Sequence, residues 1–330
     1  MRPTLTVVIP IFNEEAVIPE LARRLREVIQ VWNTQIESWE VVFVNDGSKD
    51  KSFEQLKLLA AEEPRFKVIS FSRNFGHQMA ITAGLDRAEG EAVVIMDADL
   101  QDPPEVVSEM IARWHEGFDV VYGVRTKRVG ETLFKRASAA IFYRVLRAML
   151  GGISIPADAG DFRLIGRPVV LAMRALRERH RFVRGMVAWI GFRQTKVFYE
   201  RPARFAGETK YPLRKMIRFA VDGITSFSII PVRLATYLGA FTGILAVLIG
   251  TWAMVQKLRG APTVEGWTTI MMLIALSSSA QLLVMGVLGE YVGRIYDEVK
   301  RRPLYTVAER INLPQPADGD ARTDPPASSL

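Results

Sequence analysis

Short apolar runs alternate with helical stretches along the first third of the chain, and each run ends in a polar cluster. Leu5–Pro10, Val41–Val44, Lys67–Phe71 and Ala92–Met96 are rich in β-branched residues and bounded by turn residues, so they read as buried strands. Helical stretches follow through about Val31, through about Ala61 and from about Met79 to Ala88. Strands alternating with helices predict an α/β fold, a mostly parallel, Rossmann-like sheet with helices on both faces. Ligands of such sheets bind at the carboxyl ends of the strands. Phe12-Asn13-Glu14, Asp46-Gly47-Ser48, Arg73-Asn74 and Asp97-Ala98-Asp99 all fall at those ends.

The last cluster carries the most chemistry. Asp97 and Asp99 stand two residues apart, within reach of one hard divalent cation. Mg²⁺ and Mn²⁺ take oxygen ligands, typically a few carboxylates plus substrate phosphates. The competing reading is a helix start, because Asp favours caps and Pro103-Pro104 suits a first turn.

Pro10-x-Phe12-Asn13-Glu14, Asn45-Asp46-Gly47-Ser48, Arg73-Asn74-x-Gly76 and Asp97-Ala98-Asp99-Leu100-Gln101-Asp102-Pro103-Pro104-Glu105 together resemble glycosyltransferase family 2. The last segment is similar to that of its polyisoprenyl-phosphate members, the GtrB-like and ArnC-like enzymes and dolichyl-phosphate mannose synthases. The resemblance implies a GT-A catalytic domain over 1–212 and a nucleotide-sugar donor, a UDP-sugar first. It implies that Pro10, Phe12, Glu14, Asp46 and Asp97 line the donor site, with Asp46 accepting a hydrogen bond from the base. Asp99 and Gln101 would hold Mg²⁺ or Mn²⁺.

The second half points to a membrane. Segments 229–256 and 267–290 are each long enough to cross a hydrocarbon core, which needs about 20 apolar residues. Two buried core helices are the alternative, but such helices normally show a polar face. The short connection predicts a transmembrane hairpin with both ends on one side. Arg214, Lys215, Arg218 and Arg233 precede it and Arg294, Lys300, Arg301 and Arg302 follow, against Lys257 and Arg259 in the loop. The bias of cations predicts cytoplasmic termini and a cytoplasmic catalytic domain in an inner membrane. The run from Leu5 is too brief and Pro-broken for a signal peptide. Segment 213–228 is basic and amphipathic, suited to the interface. Segment 291–313 reads as a cytoplasmic extension and 314–330 as a disordered tail. The net charge of +7 suits an anionic lipid surface, and no nucleic-acid-binding pattern accompanies it. The absence of cysteine excludes disulfides.

Cations also gather between the halves. Val120–Arg125 reads as a strand ending in Arg125, and a helical stretch over 131–150 carries Lys135 and Arg136. Asp158-Ala159-Gly160-Asp161-Phe162-Arg163 resembles the family's acidic-Gly-Phe-Arg turn, and Arg204 to Tyr211 resembles its R-x-x-G-x-S-K segment with Thr209 for Ser. A phosphate monoester is mostly dianionic at neutral pH and needs aligning cations more than a base. Arg125 and Arg204 are the first candidates for that work, with Lys135, Arg136, Arg163 and Lys210 behind them. Asp161 either orients the acceptor or acts as base; the alternative is a structural carboxylate paired with Arg163.

The expected activity is inverting transfer of a hexose, glucose first, to undecaprenyl phosphate on the cytoplasmic leaflet. An aminopentose donor and GDP-mannose with a dolichyl acceptor stay open, as does a non-catalytic scaffold. Ser277 to Ser279 and Gly286, Gly289 and Gly293 would allow close helix packing, so a homo-oligomer is open too.

Overall fold

The computed structural model describes residues 4–126, 159–200, 230–259 and 266–314. Eight strands form one sheet: β1 (Leu5–Ile11), β2 (Trp39–Asn45), β3 (Phe66–Phe71), β4 (Ala92–Ile95), β5 (Val120–Arg125), β6 (Ala159–Gly166), β7 (Gln194–Tyr199) and β8 (Val307–Ile311). Their order is β7-β5-β6-β4-β1-β2-β3-β8. β4, β1, β2 and β3 run parallel, as expected, and β5 and β7 pair in parallel beyond them. β6 and β8 run antiparallel to their neighbours.

β1 and β2 are buried along their whole length, as central strands covered on both faces must be. Alternate residues feed opposite layers. Val7 and Ile9 join Leu25, Trp32, Phe43, Leu56 and Met110 on one face. That face is covered by α1 (Ile18–Trp32), α2 (Ser52–Glu62) and α4 (Val107–His115). Val8 joins Ile81, Val93, Val169 and Val187 on the other. There α3 (His77–Arg87), α5 (Arg167–Ala175) and α6 (Val183–Ile190) pack. α1 buries Ile18, Leu21, Leu25, Val28 and Trp32, the three- and four-residue spacing of one helical stripe. Each such side chain contributes about 1.5–3 kcal/mol on burial.

Two expectations are corrected. Residues 158–163 were expected to form a turn, but from Ala159 the chain is already in strand β6. Phe162 and Leu164 enter one core layer and Ile165 the other, so the segment alternates like a strand despite Asp161 and Arg163. Segment 291–313 is not a simple extension either. It returns to the sheet as β8, pairing Val68 with Ile311 and Ser70 with Glu309. Tyr305 stacks on Phe71 and donates its hydroxyl to Asp86 at 2.8 Å.

Two long helices lie side by side, α7 (Ile230–Leu258) and α8 (Trp267–Val299). Among the described residues, one helix, Ile230–Trp252, is long and apolar enough to cross a membrane. Leu234, Phe241, Val247 and Trp252 on α7, and Leu282, Leu283 and Met285 on α8, are exposed. The end of α8 grips the α/β domain. The Arg179 N–H donates to Glu298 at 2.7 Å, and His180 lies 3.4 Å from Asp297. The stretches at 131–150, 213–228 and 315–330 lie outside the described residues.

α3 sits close on β1 because Gly84 has no side chain: a Cβ there would meet Val8 Cγ1 at 2.1 Å. Overpacking a tight core costs about 1–3 kcal/mol. Gly84→Val should therefore lower the unfolding free energy of the solubilised protein by that amount, read as a lower denaturation midpoint, whereas an unchanged midpoint would mean that α3 can move away.

Candidate active site

The carboxyl ends of β1, β2 and β4 open onto a cavity of about 440 Å³ lined by Pro10, Phe12, Glu14, Asp46, Asn74, His77, Asp97 and Asp99. The parallel register brings them together, since Ile11 stands level with Asn45 and Val8 with Ile95. Five expected donor-site residues, Pro10, Phe12, Glu14, Asp46 and Asp97, thus share one cavity with Asp99. Phe12 is exposed there, although a large aromatic normally seeks burial.

The turns behind β1 and β2 are laced together. The Asn13 N–H donates to Ser48 Oγ at 3.0 Å, and the Lys49 N–H to Asn13 Oδ1 at 2.8 Å. The Asp46 carboxylate accepts the backbone N–H groups of Phe75 (2.7 Å) and Gly76 (3.0 Å). Gly47, at φ +67°, permits this approach, for a Cβ would stand 2.4 Å from the Arg73 carbonyl carbon. Burial raises the Asp46 pKa, and the two N–H groups pull it back. Asp46 therefore already anchors the loop after β3, and any contact to a base would share that carboxylate.

At the end of β4 the chain turns through Leu100, at φ +58°. The Gln101 N–H donates to Asp99 Oδ1 at 3.1 Å. Asp102 is buried and accepts the Tyr199 hydroxyl at 2.8 Å. Burial and neighbouring Asp97 push Asp102 up to about 7. Asp97 Oδ1 is a buried acceptor without a hydrogen-bond partner among the described residues. A hard cation at Asp99 would relieve that crowding of acceptors, so the donor set fits Mg²⁺ or Mn²⁺.

Asp161 is 5 % exposed, and Arg184 clasps it with Nε at 2.8 Å and a second nitrogen at 3.0 Å. His77 Nε2 lies 3.3 Å from Asp161 and 3.5 Å from Asp97. Burial alone would raise the Asp161 pKa, but Arg184 and His77 outweigh it and hold the carboxyl well below its usual range. Arg163, considered a partner for Asp161 and an acceptor-site cation, is fully buried. It lies 3.8 Å from the Asp161 carboxylate, the pairing expected of it, and donates to the carbonyls of Asp161 (3.2 Å) and Gly160 (2.7 Å), contacts that brace the strand. Arg125 closes β5, with Nε 3.4 Å from the Tyr199 hydroxyl. Lys135, Arg136, Arg204 and Lys210 lie outside the described residues.

His77 and Arg184 are functional candidates that the sequence reading misses. His77 directly follows the Arg73-Asn74-x-Gly76 segment at the sheet edge, which was the available signal; Arg184, within an apolar helix, gave none.

An α/β domain with an acid-lined cavity at its strand ends can serve many chemistries, and comparison narrows them. The description of glycosyl transferase family 2 matches residues 6–172. The Bacillus subtilis (strain 168) uncharacterized glycosyltransferase YkcC is 53% identical over 311 residues, covering 93% of this chain and 94% of that one. A Shigella flexneri SfII prophage-derived bactoprenol glucosyl transferase is 40% identical over 303 residues, covering 92% and 97%. A prophage bactoprenol glucosyl transferase homolog of Escherichia coli (strain K12) is 38% identical over 303 residues, covering 92% and 98%. The chain belongs to glycosyl transferase family 2.

Two carboxylates hold His77 protonated, up to about 9 against an ordinary 6.5, despite partial desolvation in its recess and its place at a helix N-terminus. The folded chain therefore keeps a proton that the unfolded chain loses. The stabilisation is whole below pH 6.5 and is lost as pH rises through about 9. Imidazole NMR should give this one of the three histidines a midpoint near 9, and His77→Gln should flatten the stability profile over that window. A midpoint near 6.5 would contradict the ion pairs.

Proposed function

We propose that this chain is a membrane-bound, metal-dependent polyisoprenyl-phosphate glycosyltransferase. It transfers a hexose, glucose first, from a UDP-sugar to a polyisoprenyl phosphate on the cytoplasmic leaflet, with inversion. The observation that carries the reading is a cavity edged by Asp97 and Asp99 in the same chain as the exposed apolar helix Ile230–Trp252. Nearly full-length likeness to relatives named bactoprenol glucosyl transferase supports the sugar and the lipid.

In this reading Pro10, Phe12, Glu14, Asp46 and Asp97 surround the donor, and Asp99 and Gln101 hold Mg²⁺ or Mn²⁺. The ion supplies charge neutralisation on the leaving nucleoside diphosphate. Arg125 and Arg204, with Lys135, Arg136 and Lys210, align the acceptor phosphate by charge-assisted hydrogen bonds. A phosphate oxygen attacks the anomeric carbon from the face opposite the diphosphate. No general base is required, because the attacking oxygen is already ionised. That agrees with Asp161 being engaged by Arg184 and His77. Arg163 takes no part in acceptor binding in this scheme.

The hairpin reading extends to both long helices. Spans 229–256 and 267–290 cross the membrane, the stretch between them faces outward, and 213–228 lies in the interface. The excess of Arg and Lys outside that connecting stretch supports it. Arg204 precedes the interfacial stretch in sequence and would meet a lipid phosphate arriving from the membrane.

Asp99→Asn removes a ligand charge while keeping the side-chain shape. Transfer of radiolabelled glucose from UDP-glucose to lipid should fall at least about a hundredfold, as when a contact made in the transition state is lost. In the wild type, EDTA should abolish transfer and Mg²⁺ or Mn²⁺ restore it. Full transfer in chelator would remove the metal from the scheme.

Topology can be read in a chain without cysteine. A cysteine at Thr263 should react with an impermeant maleimide in intact cells, and one at Ser328 only after lysis. Labelling of both from outside would overturn the hairpin.

A further inference from the structure

Among the described residues that line the donor cavity, four are acids, Glu14, Asp46, Asp97 and Asp99, and one is basic, His77. A nucleoside diphosphate entering there carries several negative charges. At contact distance each uncompensated like-charge pair costs on the order of 1 kcal/mol in water and more in a recessed site. One divalent ion would offset part of that repulsion, and a cation on the cavity wall would offset more.

The surroundings of His77 equip it for that contact. Its Nε2 lies between Asp161, at 3.3 Å, and Asp97, at 3.5 Å. Asp161 is fixed from the other side by Arg184 at 2.8 and 3.0 Å, so the ring is held against a braced carboxylate. Its side chain remains 42% exposed, so the ring is reachable from the cavity. Two carboxylates on Nε2 stabilise the imidazolium, and that form carries a second donor on Nδ1.

We propose that His77 is the protein's own cationic contact to the donor diphosphate. This rests on the reading of the cavity as a nucleotide-sugar site and adds a residue to it. As the acceptor phosphate oxygen bonds to the anomeric carbon, the bond from that carbon to the diphosphate oxygen breaks. The electron pair stays on the diphosphate, and the imidazolium donates a hydrogen bond to it without giving up its proton. Arg184 and Asp161 are positioning residues in this scheme, acting through His77.

Calorimetry with UDP and with uridine, in the presence of Mg²⁺ and without lipid, tests the proposal on the full chain. His77→Gln should weaken UDP binding about ten- to a hundredfold, the range for loss of one hydrogen bond to a charged group. Uridine, which lacks the diphosphate, should bind the variant as it binds the wild type. The dependence of transfer on polyisoprenyl phosphate should keep its KM. His77→Lys, which restores a cation, should recover part of the UDP affinity. That recovery also decides the case if the Gln variant loses uridine binding through misfolding. Unchanged UDP affinity in His77→Gln would overturn the proposal. A raised lipid KM with intact UDP affinity would overturn it too, moving His77 to the acceptor phosphate. If the wild type bound neither UDP nor uridine, the reading of the cavity itself would fail.

Discussion

Like charges crowd the carboxyl edge of this sheet. Parallel register sets the ends of β1, β2 and β4 level, and each end carries an acid. Glu14, Asp46, Asp97 and Asp99 line one cavity, with Asp161 behind His77. Such a cluster folds only if its members are answered separately. Asp46 is answered by two backbone N–H groups and Asp161 by Arg184 and His77. Asp102 accepts the Tyr199 hydroxyl. Asp97 lies 3.5 Å from His77, and Asp99 accepts the Gln101 N–H. Those answers fix the positions of α3, α6 and β7 around the cavity, so catalytic architecture and electrostatic compensation are one arrangement.

The part of the sheet built from β1 to β4 was legible because its signals are local. β1 to β4 are apolar runs with turn residues at both ends, and α1 between the first two carries a regular stripe. Those runs also located the site, since polar residues at the ends of buried parallel strands have little packing use. What was illegible depends on partners far away in sequence. β6 hides its alternation behind the buried Asp161 and Arg163, and β8 is a charged edge strand recognisable only by what it covers. His77 gains its role from Asp97 and Asp161, and Arg184 from Asp161. No local pattern encodes those pairs.

The same contacts tie the α/β domain to the long helices. Arg179 and His180 meet Glu298 and Asp297 at the end of α8, and α6 with Arg184 begins three residues after His180, at Val183. From α8 the chain runs through Tyr305, which bonds Asp86 on α3, the helix that begins with His77. The loop before α6 therefore meets the end of α8, and α3 meets the segment that follows it.

The central claim is a single displacement by a lipid phosphate at the anomeric carbon. Its most direct test is the configuration of the product. Purified protein in lipid nanodiscs, given UDP-glucose and undecaprenyl phosphate, should yield an extractable lipid-linked glucose. NMR of its anomeric proton should read β, inverted from the α-linked donor. An α-configured product, or glucose released only to water, would contradict the account.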